Sequence, residues 1–168
     1  VPTNYLVWAT GDLQNCSEVL SDKYCERLTS AEKKDDVVFI VDENDLKEGG
    51  ITKNNVTNTW KFNASNVVDF AFAVSDHYVW NAASLVVDKT SGRRTRVDAV
   101  FNTKHKDYFE VIDIAKKTVE LMSYQFPKWP FPYNHETVFD GLDQMEYPMM
   151  VNDNPVDTRF DAVTLTDH

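Results

Sequence analysis

Near residue 107 the hydrophobic period of the chain changes, and this change limits the fold more than any other feature. From there Ile112, Ala115, Val119, Met122 and Phe126 recur at steps of three and four, the spacing of one face of an amphipathic helix. Asp107 can cap its start, with Glu110 three places on as in a capping box. Pro127 ends it, because the residue before a proline avoids the helical region.

The residues before it read as strands and turns. Tyr5 to Ala9 is a short apolar run closed by Thr10-Gly11-Asp12. Val37 to Val41 is another, followed by an acidic stretch to Gly50 that the paired glycines mark as a loop. Thr57 to Asn63 alternates around Trp60 and Phe62. In the run Val67 to Val74, the larger Val68, Phe70, Phe72 and Val74 fall on one face and smaller residues on the other, which predicts a strand covered on both sides. Ser84 to Asp88 and Arg94 to Phe101 flank Lys89-Thr90-Ser91-Gly92, a connection of hairpin length with glycine late in it.

Beyond the helix, Pro127-Lys128-Trp129-Pro130-Phe131-Pro132 is a stiff aromatic turn. His135 to Asp140 and Met145 to Val151 read as strands and Asn152 to Pro155 as a loop. Phe160 to His168 resembles the opening of a helix. The expected architecture is mainly β, an antiparallel sandwich or saddle-like sheet over residues 1–105, then an α+β unit over residues 106–168. An apolar helix only one turn long at the end of the chain is the expectation for a truncated piece of a longer protein.

Composition narrows the function classes. Seventeen Lys and Arg against 27 Asp and Glu give a net charge of −10, which repels phosphate backbones and excludes nucleic acid as an expected partner. No run approaches the roughly 18–20 apolar residues of a membrane span. Cys16 and Cys25, nine positions apart in a polar stretch, can pair, but one pair does not make a disulfide scaffold. Asn15, Asn55 and Asn63 each head an N-x-S/T triplet, a signal only in a eukaryotic secretory protein.

Read without any family, the chemistry is thin. His77, His105, His135 and His168 share no close spacing, so there is no His-x-x-x-His pair. His77 beside Asp76 reads as a surface turn, His105 between Lys104 and Lys106 as a solvated linker, and His135 as a hydrogen-bonded structural residue. The more informative segment is Gly141-Leu142-Asp143-Gln144-Met145-Glu146-Tyr147-Pro148. A lone carboxylate within an apolar strand costs several kcal/mol to bury unless donors satisfy it; on composition alone an exposed edge strand is the simpler account of Glu146.

The run around Met145-Glu146 resembles the G-x-M-E-N exopeptidase motif of the aminopeptidase N family of zinc peptidases. Trp129-Pro130-Phe131-Pro132 and the preceding helix resemble the approach to that motif, and Trp60-Lys61-Phe62 with Asn66 to Ser75 resembles the last strands of the family's N-terminal β domain. The resemblance implies a thermolysin-like catalytic domain, peptide substrates with a free N-terminus, and zinc in the full-length parent. By the same resemblance Glu146, with Met145 and Gln144 beside it, lies at the edge of the cleft and binds the substrate's α-amino group. His168 takes the place of the first histidine of H-E-x-x-H, so the fragment itself is expected to bind no zinc and to be inactive. Two positions depart from the motif: Asp143 stands for its glycine and Tyr147 for its asparagine, which alters the edge of the cleft. The bacterial periplasm or cell envelope is favoured over the cytoplasm. The rival readings are a non-catalytic β-sandwich module presenting Trp8, Trp60, Trp80 and Trp129 to a carbohydrate or protein, and a catalytically dead scaffold of the same family.

Overall fold

In a computed structural model, which describes residues 1–155, the chain is mainly β and is organised around one mixed sheet of six strands. In chain order the described elements are β1 (Leu6–Ala9), β2 (Asp12–Leu13), α1 (Cys16–Val19), α2 (Asp22–Ala31), β3 (Val38–Val41), α3 (Glu43–Glu48), β4 (Phe62–Asn63) and β5 (Phe72–Ser75). They are followed by β6 (Val79–Asp88), β7 (Arg93–Phe101), a 3-10 helix (Lys106–Phe109), α4 (Val111–Tyr124), β8 (His135–Asp140), β9 (Met145–Tyr147) and β10 (Met150–Asp153). The large sheet has the order β3-β6-β7-β8-β10-β9, and β1-β5 and β2-β4 form two small antiparallel pairs.

The hairpin β6–β7 is the centre of this sheet. Its strands alternate two sets of apolar residues, so each face of the sheet carries its own core. Trp80, Ala82 and Val100 face β1, α1 and α2, where Trp8 meets Trp80 edge to face at a centroid distance of 5.7 Å. Val87, Val97, Ala99 and Phe101 face α4, and Phe101 stacks on Tyr108 at 5.7 Å. Each large apolar side chain buried this way contributes about 1.5–3 kcal/mol relative to an exposed one. At the turn, the Asp88 carboxylate accepts from Thr90 N–H and the Ser91 hydroxyl, and Gly92 adopts φ 74°, as the expected hairpin requires.

The change of period near residue 105 is where the chain leaves β7 for the crossover helix. β7 pairs with β8 in parallel, Arg96 opposite His135 through Val100 opposite Phe139, and β8 pairs with β10 in parallel. A parallel pair requires a crossover, and the 3-10 turn with α4 is that crossover. The sheet therefore takes strands from both sides of residue 105. Asp107 falls within the 3-10 helix, and α4 itself starts at Val111, burying Val111, Ile112, Ala115 and Val119 but leaving Met122 43% exposed.

Several local expectations change. The first hundred residues contain helices as well as strands. In α2, Tyr24, Leu28 and Ala31 recur at helical spacing on the buried side, and the Cys16–Cys25 disulfide ties α1 to it with a Cα separation of 5.9 Å. The acidic stretch expected to be a loop forms α3. The Asp42 side chain accepts from Asn44 N–H and Asp45 N–H, the Asp45 side chain accepts from Asp42 N–H, and Gly49 closes the helix at φ 73°. The run Val67 to Val74 is a strand only from Phe72, and its large face is open: Val68 is 97% exposed, with Phe70 and Phe72 more than half exposed. β5 has a single partner, β1, and only the other face of this pair packs on the core, so the expected two-sided cover does not form among the described residues. Met145 to Val151 divides into two strands around Pro148-Met149, and β10 continues through Asn152 and Asp153, which the sequence had assigned to a loop. The expected helix from Phe160 to His168 lies outside the described residues.

Candidate functional site at the sheet edge

Glu146 is the central residue of β9, and β9 is the outermost strand of the large sheet. It pairs antiparallel with β10, Met145 opposite Asn152, Glu146 opposite Val151 and Tyr147 opposite Met150. Met145 and Glu146 are exposed, as is Gln144, whose N–H donates to Asp143 Oδ1 at 2.9 Å just before the strand. The three residues the resemblance selects thus lie in one continuous stretch of a sheet edge. The lone acidic residue in an apolar strand faces solvent.

The turn that returns β9 into β10 is strongly anchored. Pro148 presets φ at the second turn position, and Met149 takes φ 67° at the third, the arrangement of a type II turn. Glycine is the usual residue there, so a buried methionine is held by its surroundings. The Gly11 N–H donates to Met149 Sδ at 3.2 Å, the Thr10 hydroxyl donates to Pro148 O at 2.9 Å, and Thr137 N–H donates to Met149 O at 3.0 Å. The segment after β1 and the start of β8 therefore position the edge strand. Gly141, at the exit of β8, is closely covered by the Asn152 side chain, and a Cβ at position 141 would lie 1.5 Å from Asn152 Oδ1. Its N–H donates to Asp153 O at 2.7 Å.

Beneath this edge lies a polar network the sequence did not announce. Asp140, nearly inaccessible, accepts from His105 Nδ1 and from Asn102 N–H at 3.0 Å, and its backbone oxygen accepts from the Tyr78 hydroxyl at 2.6 Å. His105 is thus hydrogen-bonded to a buried carboxylate, where the flanking lysines had suggested a solvated linker. Tyr108 donates to Asp153 O at 2.8 Å. Burial raises the Asp153 carboxyl above its ordinary pKa; the Asn154 N–H opposes the shift, while the charges of Asp107 and Glu146 add to it.

His77 and His135 behave as read. His77 sits in an exposed bend with Nδ1 2.7 Å from Asp76. His135 is buried, with Nε2 3.0 Å from Gly11 O and Nδ1 3.3 Å from the Thr137 hydroxyl. Burial lowers its pKa, with the Arg96 charge acting in the same direction. Asp98 in β7 is a further buried carboxylate; like Glu146 it is the single acid of its strand, with the opposite outcome.

Among the described residues no group of three His, Cys, Asp or Glu side chains can hold a metal ion, and His168 lies outside them. No helix among them is long and apolar enough to cross a membrane. Trp8 and Trp80 are buried in the core and Trp129 is 72% exposed, so these residues do not form the row of exposed tryptophans a carbohydrate module would present. Compared with models of known protein families, with curated proteins and with solved structures, the chain matches none.

Proposed function

We propose that this chain belongs to a zinc-dependent aminopeptidase of the aminopeptidase N type, in which it provides the end of a β domain and the start of a thermolysin-like catalytic domain. The observation that carries this reading is the position of Glu146: an exposed carboxylate at the middle of a strand with one free edge. An extended peptide can add to such an edge through main-chain hydrogen bonds. Its terminal ammonium then meets a carboxylate by charge-assisted hydrogen bonding, which holds the N-terminus in place and limits cleavage to the first residue.

The part of the reaction assigned to this chain is recognition. Met145 and Gln144 flank the ammonium site, and the anchored Pro148-Met149 turn keeps the strand from shifting when substrate binds. The described residues do not make a zinc site; His168 is proposed as one ligand, and one imidazole is not a catalytic centre. Zinc, when bound by the whole protein, supplies Lewis-acid polarisation and an activated water. The Cys16–Cys25 disulfide supports placement in the periplasm or cell envelope, where such bonds persist.

The test is Glu146→Ala in the whole zinc-loaded protein. Loss of the ammonium contact is expected to lower kcat/KM for peptides with a free N-terminus by about 100-fold or more, with zinc content unchanged. An equal loss on N-acetylated peptides, or a loss of bound zinc, would overturn the assignment.

A further inference from the structure

On the α4 face of the sheet, away from Glu146, a surface cavity of about 350 Å³ opens between β3, the start of α3 and the 3-10 helix. Phe39, Val79 and Phe109 form its apolar walls, Thr103 and Asn81 contribute polar groups, and Asp42 and Glu43 stand at its rim. Phe39 is 56% and Phe109 48% exposed, although Ile40 and Tyr108 beside them are buried. Phe39 is paired with Asn81 across the β3–β6 ladder, immediately before a register shift that lies between Phe39 and Val41. Such an irregularity re-aims side chains at a sheet edge.

Asn81 provides the decisive observation. It is 5% exposed, and its Oδ1 is buried without a hydrogen-bond partner. An amide acceptor in that state costs about 1–3 kcal/mol. Asn81 lies between Val79 and the exposed ring of Phe39, where an apolar residue would pack without that cost. Asn81 lines the cavity, so a donor that enters there can satisfy this acceptor.

The rim sets the charge of that donor. Asp42 uses Oδ1 to cap α3, and Glu43 is exposed beside it. The chain's own cation nearby, Lys106, is held on the Thr103 and Phe109 side: its Nζ donates to Thr103 O at 2.6 Å and lies 5.2 Å from the centre of the Phe109 ring, while no cation among the described residues lines the Asn81, Asp42 and Glu43 side. We propose that this cavity binds a small organic cation, an ammonium on an aromatic or aliphatic stem. The stem packs between Phe39 and Phe109, one N–H donates to Asn81 Oδ1, and Asp42 and Glu43 balance the charge. The volume lies at the lower end of the range for small-molecule sites, and the overall charge of −10 favours a cationic ligand at long range.

Benzylamine is the probe, titrated into isotope-labelled protein and followed by NMR. Saturable shifts are expected at the Asn81 side-chain amide and around Phe39 and Phe109. Benzyl alcohol, with the same ring and no charge, should bind about 10-fold more weakly, the change for one lost charge-assisted contact. Asn81→Leu should weaken benzylamine binding by about as much. Glu43→Gln, an exposed change that leaves the fold intact, should weaken it several-fold and reduce its salt dependence. Equal affinity for benzylamine and benzyl alcohol would overturn the proposal, as would unsaturated shifts scattered over the acidic surface, or full binding by both variants.

Discussion

The indole N–H of Trp80 donates to Asp98 Oδ1 at 2.8 Å across the β6–β7 ladder, and the carboxylate receiving it is fully shielded from solvent. Arg96 Nε reaches both oxygens of the same carboxylate at 3.0 Å, and the Thr137 hydroxyl donates to Oδ2 at 3.1 Å. One buried charge thus joins three neighbouring strands of the sheet. Asp98→Ala would leave the Trp80 N–H without its acceptor, the Thr137 hydroxyl with only His135 Nδ1 at 3.3 Å, and Arg96 with Glu32 as its remaining ion-pair partner. The expected loss is about 3–5 kcal/mol, the cost of breaking a buried pair by removing one member. Urea unfolding followed by tryptophan fluorescence measures it; a loss below 1 kcal/mol would show that Asp98 does not organise the core.

Asp45 predicts an acid-sensitive contact between α2 and α3. Burial pushes its carboxyl up, but donors from Lys23, Asp42 N–H and Arg27 overcome that and hold it at about 2. The folded value lies below the unfolded 3.8, so the stabilisation is present above about pH 4 and is lost as pH falls through 2. By linkage it is worth about 2 kcal/mol. Stability measured between pH 6 and pH 2 should fall by that much more in the parent than in Asp45→Asn.

Glu136 predicts the opposite slope at higher pH. Burial, followed by the charge of Asp98, raises its carboxyl to about 8. A folded pKa above the unfolded 4.5 gives a contribution that is complete below pH 4.5 and lost as pH rises through 8. Glu136→Gln should flatten this decline and leave the variant a few kcal/mol more stable than the parent at pH 8.5. Parallel pH profiles for the two proteins would refute it.

Gly11 predicts a backbone-limited position. It has φ 105°, and a Cβ there would lie 2.8 Å from the backbone carbon and oxygen of Asn63, which cannot move aside as a side chain can. Its N–H and C=O also meet Met149 Sδ and His135 Nε2. Gly11→Ala is expected to cost about 3 kcal/mol, whereas Gly92→Ala, with a similar positive φ and open space, should cost about 1 kcal/mol. Thermal unfolding of the two variants side by side tests the difference.

The features legible along the chain are those made by near neighbours. The β6–β7 hairpin is written in two β-rich runs around a glycine turn. α4 is written in the three-and-four spacing from Ile112 and the proline after it. α3 was also legible, since Asp42 and Asp45 form a capping box, but the paired glycines that follow pointed to a loop. The Tyr24, Leu28 and Ala31 spacing of α2 was hidden by the charged residues between them. Glu146 was found because one carboxylate interrupts an apolar strand, and that signal alone did not separate it from Asp98.

Sequence by itself determined the β character, the acidic surface, the amphipathic helix and the strand segment that carries Glu146, because each depends on side chains a few positions apart. Tertiary structure decided that β7, β8 and β10 run parallel in one sheet and that β9 closes its edge. It also decided that Asp98 is buried while Glu146 faces solvent. Those outcomes depend on pairings between residues far apart in the chain: Thr10 and Gly11 holding the turn at Pro148 and Met149, and Thr137 completing the shell of Asp98. A carboxylate in a strand is stable inside only where distant donors converge on it, and no local pattern records where those donors will arrive.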